Sequence, residues 1–158
     1  MLAKFCATFL LWLCLAAVVL FVFAASLKNG TGVDWEMLVF FEMGVFIRVF
    51  TPWIVTITIS LILRRKRPFR AEHHKPLIHM PIETPSFPSA HATIAFAFST
   101  LFIYDSVLFA IAIALACCVA LSRVAVGVHY LSDILAGSVI GLVFGFLVFR
   151  FLPIFIGG

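Results

Sequence analysis

The chain has 158 residues, enough for one domain and too few for two ordinary ones. Hydrophobic residues make up 64% of it and charged residues 11%, and a mean hydropathy of +1.20 excludes an ordinary soluble protein. The net charge of +4 does not point to nucleic acid, because the cations gather in LRRKRPFR at 63–70, beside an apolar run, where lipid headgroups and topology account for them.

Apolar stretches near twenty residues recur, the mark of helices that span about 30 Å of hydrocarbon. The short alternating segments of a transmembrane barrel are not seen. The expected fold is therefore all-α: one integral membrane domain over 1–158, a bundle of about five spans plus an interfacial helix, with an active site at one membrane face. The first run, 2–25, carries Lys4 and ends in FAAS, like a signal peptide with a small-residue cleavage site. Its apolar core exceeds the about 7–15 residues usual there, which favours a retained span. SLKNGTGVD at 26–34 reads as a loop.

Trp35 to Phe50 holds Glu36, Glu42 and Arg48 among aromatics, and Pro52 follows. Two full spans do not fit between Trp35 and Leu63. The expectation is an interfacial helix over about 34–43, then a span over about 44–63 from which Arg48 snorkels. One long helix kinked at Pro52 is the alternative. Residues 64–89 form the longest polar segment, with the basic cluster, His73, His74, His79 and five prolines. A helix starting at Pro88 or Ser89 runs to Tyr104, YDS at 104–106 turns the chain, and further spans cover 107–121 and 133–152. In the last span Gly137, Gly141 and Gly145 recur every four residues and permit close helix packing. Cys6, Cys14, Cys117 and Cys118 all lie in apolar runs and read as small lipid-facing or packing residues, the adjacent pair on different helix faces.

Parity gives this layout its interest. One crossing separates Tyr104 from Ser122, so 64–89 and 122–133 share a side of the membrane. In SRVAVGVHYLSD, residues 122–133, His129 and Asp133 are four apart and, if helical, stack on one face. A carboxylate there can accept the Nδ1 proton and leave the Nε2 lone pair free to attack. Arg123 offers a planar fork for two phosphate oxygens, and Arg67 offers a second. Ser89 sits where a helix begins, able to cap it or to bind an anion beside the free amides of the first turn. His91, in that turn, can donate a proton to a departing oxygen. This set fits phosphoryl transfer better than acyl transfer, and it requires no cofactor and no metal.

The three stretches resemble the signature of the type 2 phosphatidic acid phosphatase superfamily: K-x(6)-R-P, then P-S-G-H, then S-R-x(5)-H-x(3)-D. The resemblance covers about residues 60–150, which would form the phosphatase core, with 1–59 holding the N-terminal span, the interfacial helix and most of the second span. It implies that Arg67, Arg123 and Ser89 hold phosphate, that His91 protonates the leaving group, and that His129 forms a phosphohistidine oriented by Asp133. Two departures stand out. Ala90 replaces the glycine of the second motif, and Ser60 falls where the first has lysine. Arg64 or Lys66 would then supply the missing cation.

The partners implied are a lipid phosphate and the surrounding membrane lipids. Undecaprenyl diphosphate heads the candidates, because the compact size and the RPF…SFPSAH phrasing look most like bacterial undecaprenyl-diphosphate phosphatases. Phosphatidylglycerol phosphate, phosphatidic acid and lipid A phosphates follow. The resemblance places the protein in a bacterial inner or plasma membrane with the site on the extracytoplasmic side, whereas the positive-inside rule would put the basic face in the cytoplasm. A non-catalytic lipid-binding subunit is the reading from another class, raised by Ser60 and opposed by His91, His129 and Asp133. A metal-handling protein lacks ligand spacing such as HExxH, and haloperoxidase chemistry does not suit a membrane-embedded chain.

Overall fold

The computed structural model describes Ala16, residues 35–71 and residues 84–156; the expected first span, the 26–34 loop, Cys6, Cys14, His73, His74 and His79 lie outside the described residues. These residues build helices and no strand: α1 Trp35–Leu63, the single turn α2 Pro68–Ala71, α3 Ala90–Ser99 with a 3-10 turn over Thr100–Phe102, α4 Ser106–Ala125 and α5 Leu131–Ile156. Three of them, α1, α4 and α5, are long and apolar enough to cross a membrane.

α1 is continuous over 29 residues, about 43 Å at 1.5 Å per residue. The expected break near Met43 is therefore corrected: the single helix through Pro52 forms instead. Proline cannot supply the amide that the Arg48 carbonyl would accept. Its ring, however, is fully buried between helices, and that packing offsets the lost bond. The charged residues that read as an interfacial helix lie on a helix longer than the hydrocarbon is thick.

The expected span from Ser89 to Tyr104 is also shorter than anticipated. α3 and its 3-10 turn cover 13 residues, Ala90–Phe102, roughly 20 Å against about 30 Å of hydrocarbon. The short helix packs against α1, α4 and α5, most extensively against α5. Ala92, Ala97, Thr93 and Ser99 are completely buried, whereas Ile62, Val107, Val139 and other large aliphatics face outward. Lipid tails are as apolar as leucine, so small and hydroxylated residues line the helix contacts while the greasiest side chains meet the bilayer. A bond of 2.9 Å between the Thr56 and Thr93 hydroxyls ties α1 to α3 inside this core.

The α3–α5 contact is the tightest. A Cβ on Gly137 or Gly141 would run into the backbone carbonyls of Ser89 and Thr93, and one on Gly145 into the Thr100 side chain. The glycine spacing thus sets how close α3 sits to α5, and with it the position of Ser89 over the start of α5. At the other end, Asp105 turns the chain by accepting the Val107 and Leu108 amides at 3.0 Å each, an N-cap for α4. Cys117 is half-buried and Cys118 exposed, both as free thiols.

Candidate active site

Two helices end by the same device and hand the chain to the site. At the C-terminus of α4, Gly127 takes φ 77°, its amide donates to the Val124 carbonyl at 2.9 Å, and the Val128 amide donates to that of Arg123 at 3.2 Å. This is a Schellman motif with glycine in the left-handed position. It reverses the chain so that Val128 and His129 enter the bundle end. At the C-terminus of α1, Arg64 takes φ 46° and its amide donates to the Ser60 carbonyl at 3.0 Å. Here a residue with a Cβ occupies the left-handed position, at a cost of about 1 kcal/mol.

Three further segments close the site. Pro68 opens α2 at a position where a missing amide costs nothing. Ser89 precedes α3 with extended φ and ψ. Asp133, in the first turn of α5, accepts the Tyr130 amide at 2.9 Å, the backward half of a capping box. The Ser89 amide donates to the Asp133 main-chain carbonyl at 3.0 Å, which joins the start of α3 to the start of α5.

Arg67, only 5% exposed, is the hub. Its Nε donates to the Thr84 carbonyl at 2.8 Å and one terminal nitrogen to the Thr84 hydroxyl at 2.8 Å. The other donates to the Val128 carbonyl at 3.1 Å and lies 3.4 Å from His129 Nε2. The segments 64–89 and 122–133 therefore meet, as parity allows. His129 Nδ1 lies 2.7 Å from the Ser86 carbonyl oxygen. A carbonyl only accepts, so the proton sits on Nδ1 and Nε2 keeps its lone pair. Asp133 Oδ2 stands farther from Nδ1, at 3.4 Å. His129 lies in the turn before α5 and not on a helix, so the expected stacking on one helix face does not form; the carboxylate still comes within 3.4 Å, and the shorter bond goes to the Ser86 carbonyl.

Burial pushes the His129 imidazole below the ordinary histidine value of 6.5. Its hydrogen bond with Asp133 opposes this, Arg67 and Arg123 add to it, and the Asp133 charge again opposes. The net result is a neutral imidazole at neutral pH. Arg123 is buried in the last turn of α4, close enough to Arg67 and to His91 for their charges to interact. His91 is half-buried in the first turn of α3, within the same electrostatic reach of His129 and Arg67. Ser89 is completely buried, does not cap α3, and its hydroxyl has no hydrogen-bond partner.

The two candidates for the missing cation stay outside this group. Arg64 and Lys66 are exposed, and the Arg64 Nε folds back onto the Leu61 carbonyl of its own helix at 3.1 Å. With Arg67, Phe69, Arg70 and Pro85 they line a cleft of about 170 Å³. Ser60 is buried in the last turn of α1. Arg65, Thr84 and Ser86 are the contributors that motif reading missed. Two of them act through main-chain carbonyls, which carry no side-chain signature. Among the described residues no group of three or more His, Cys, Asp or Glu could hold a metal ion.

Residues 43–156 match the model of the PAP2 superfamily. Decaprenylphosphoryl-5-phosphoribose phosphatase of Mycobacterium tuberculosis is 35% identical over 102 residues, 63% of this chain and 54% of that protein. The chain thus spans about half the length of the curated relatives it matches. Among solved structures, a PAP2-type phosphatidylglycerolphosphate phosphatase from Bacillus subtilis superposes with a TM-score of 0.63 at 22% identity, over 95% of this chain and 72% of its own. Aquifex aeolicus LpxE follows at 0.58 and 22%, over 84% of each. These two show a shared fold. The family match contains all three sequence stretches that converge on Arg67 and His129, and the chain belongs to the PAP2 superfamily.

Proposed function

We propose that this chain is a membrane lipid phosphatase that works through a phosphohistidine. The observation that carries the reading is the Ser89 hydroxyl, completely buried and without a hydrogen-bond partner, on a residue whose amide is tied to Asp133, at the bundle end that also holds a neutral imidazole and two buried guanidiniums whose charges repel one another. A buried unmade hydrogen bond costs about 1–3 kcal/mol. A phosphate group satisfies the hydroxyl and relieves the repulsion together. Arg67, Arg123 and Ser89 hold that phosphate, with Arg64 and Lys66 at the cleft mouth meeting charge farther out.

His129 Nε2 attacks phosphorus while the bond to the leaving oxygen breaks, and His91 gives that oxygen a proton. The arriving anion favours the protonated form of His91. The Ser86 carbonyl and Asp133 hold the Nδ1 proton of the phosphorylated ring, and Asp133 offsets its positive charge. Water then attacks phosphorus with His91 as base, the P–N bond breaks, and inorganic phosphate leaves. The charge on the transferring group is met by guanidiniums and a hydroxyl, so the reaction is metal-independent.

The tail we favour is polyprenyl. Both the RPF…SFPSAH likeness and the decaprenyl-linked substrate named for the mycobacterial relative support it. Undecaprenyl diphosphate is the first choice, hydrolysed to undecaprenyl phosphate on the extracytoplasmic side of a bacterial plasma membrane. The test is phosphate release by detergent-purified protein in EDTA from undecaprenyl diphosphate, a polyprenyl phosphate monoester, phosphatidylglycerol phosphate and phosphatidic acid. Release is expected from a polyprenyl substrate, lost in His129→Ala and reduced to a residue in Asp133→Asn. Full activity in His129→Ala overturns the mechanism, and no release from any lipid favours the binding-subunit reading.

A further inference from the structure

Neither motif spacing nor the family pattern singles out Arg65, yet residue 65 grips both groups that face His129 Nδ1. Its main-chain carbonyl accepts the Ser86 amide at 2.9 Å, and the Ser86 carbonyl faces the ring. One terminal nitrogen of its guanidinium donates to Asp133 Oδ1 at 2.9 Å and to the Ser132 hydroxyl at 2.7 Å. The guanidinium carbon lies 4.2 Å from the centre of the Tyr130 ring. Three contacts in the segment 130–133 therefore fix the guanidinium in one place. The pair straddles the wall of the site, with 40% of the Arg65 side chain exposed and none of Asp133.

We infer that Arg65 is a positioning residue, whose guanidinium holds Asp133 and limits how much of the carboxylate's charge reaches His129. The inference rests on the proposed nucleophilic role of His129. A half-exposed ion pair contributes little to folding, so a tether of this kind is read in the chemistry and not in the melting temperature. The charged and titratable groups facing His129 are Asp133 from α5, Arg67 from the segment after α1, Arg123 from α4 and His91 from α3. The Arg65 guanidinium reaches the ring through the first of these. Removing it takes away a positive charge and releases carboxylate charge towards the imidazole. Both changes favour the imidazolium, so their signs agree and His129 titrates at higher pH.

The experiment compares wild type, Arg65→Gln and Arg65→Lys in two readouts. In Arg65→Gln the acid limb of kcat/KM moves to higher pH and kcat falls about tenfold, the usual scale for losing an outer hydrogen-bond partner, while KM changes little. Arg65→Lys keeps the charge and returns the acid limb towards wild type. Adding Arg65→Gln to Asp133→Asn produces only a small further shift, from the guanidinium's own charge, because the rest of the effect runs through that carboxylate. An unmoved limb in Arg65→Gln, or a full shift persisting in the Asp133→Asn background, overturns the inference. The second readout is the His129 titration by NMR of 15N-histidine-labelled protein without substrate, where the same upward shift is expected in Arg65→Gln and an unshifted titration overturns the proposal. If wild type released no phosphate from any lipid, the proposed function would fail while this titration still decided the role of Arg65.

Discussion

The site is assembled from two halves that leave their helices in the same way and then diverge. After α4, the left-handed residue is Gly127, the turn is a closed Schellman motif, and His129 and Asp133 follow within six residues. After α1, the left-handed residue is Arg64, and the functional groups are spread over Arg65, Arg67, Thr84, Ser86 and Ser89. The first half is a short stretch of backbone that brings His129 to the bundle end by local geometry. The second is cationic, opens onto a cleft, and is held by bonds between residues far apart in sequence. One turn thus delivers His129, whereas Arg67 and the Ser86 carbonyl reach its ring through contacts between distant segments.

The strongest way to break the second half is Arg67→Lys. It keeps a charge but loses the planar fork that reaches Thr84, Val128 and the His129 edge together. We expect kcat/KM for phosphate release to fall about 100-fold or more, with His129 still neutral at pH 7. Gly127→Ala attacks the first half and does not remove a functional group. A Cβ in the left-handed position costs about 1–2 kcal/mol, so the melting temperature should drop. Because His129 is two residues away, kcat should fall with it. Arg64→Gly has the smallest effect and the opposite sign. Relieving the same conformation should raise stability by about 1 kcal/mol, while the lost cation at the cleft mouth raises KM. Equal stability changes in the two glycine-position variants, with the same sign, would remove the distinction between the two turns.

How much of this was legible beforehand follows the same division. His129, Asp133 and Arg123 sit on one short stretch whose spacing states their relation, and hydropathy alone identified the helical membrane character. The parity of crossings allowed Arg67 to meet His129 but did not specify the contact. The Ser86 carbonyl was not legible, because any residue type could have supplied it. Arg65 was one of five cations in LRRKRPFR, and nothing local distinguishes the guanidiniums that reach inward from those that face solvent. The continuous α1 was misread because charged residues near its start matched an interfacial pattern, and the fully buried Pro52 shows why a breaker was tolerated. The shortness of α3 was obscured by apolar residues continuing into the 3-10 turn at Thr100.

The glycine seam between α3 and α5 also bears on traffic. Where Gly137 and Gly141 meet the backbone carbonyls of Ser89 and Thr93, not even one methyl group fits. A hydrocarbon chain, wider than a methyl, is shut out of that seam altogether. A lipid whose headgroup reaches Ser89 must therefore leave its tail on another side of the short helix. The spacing that brings Ser89 over Asp133 thus closes one direction of approach to the proposed lipid.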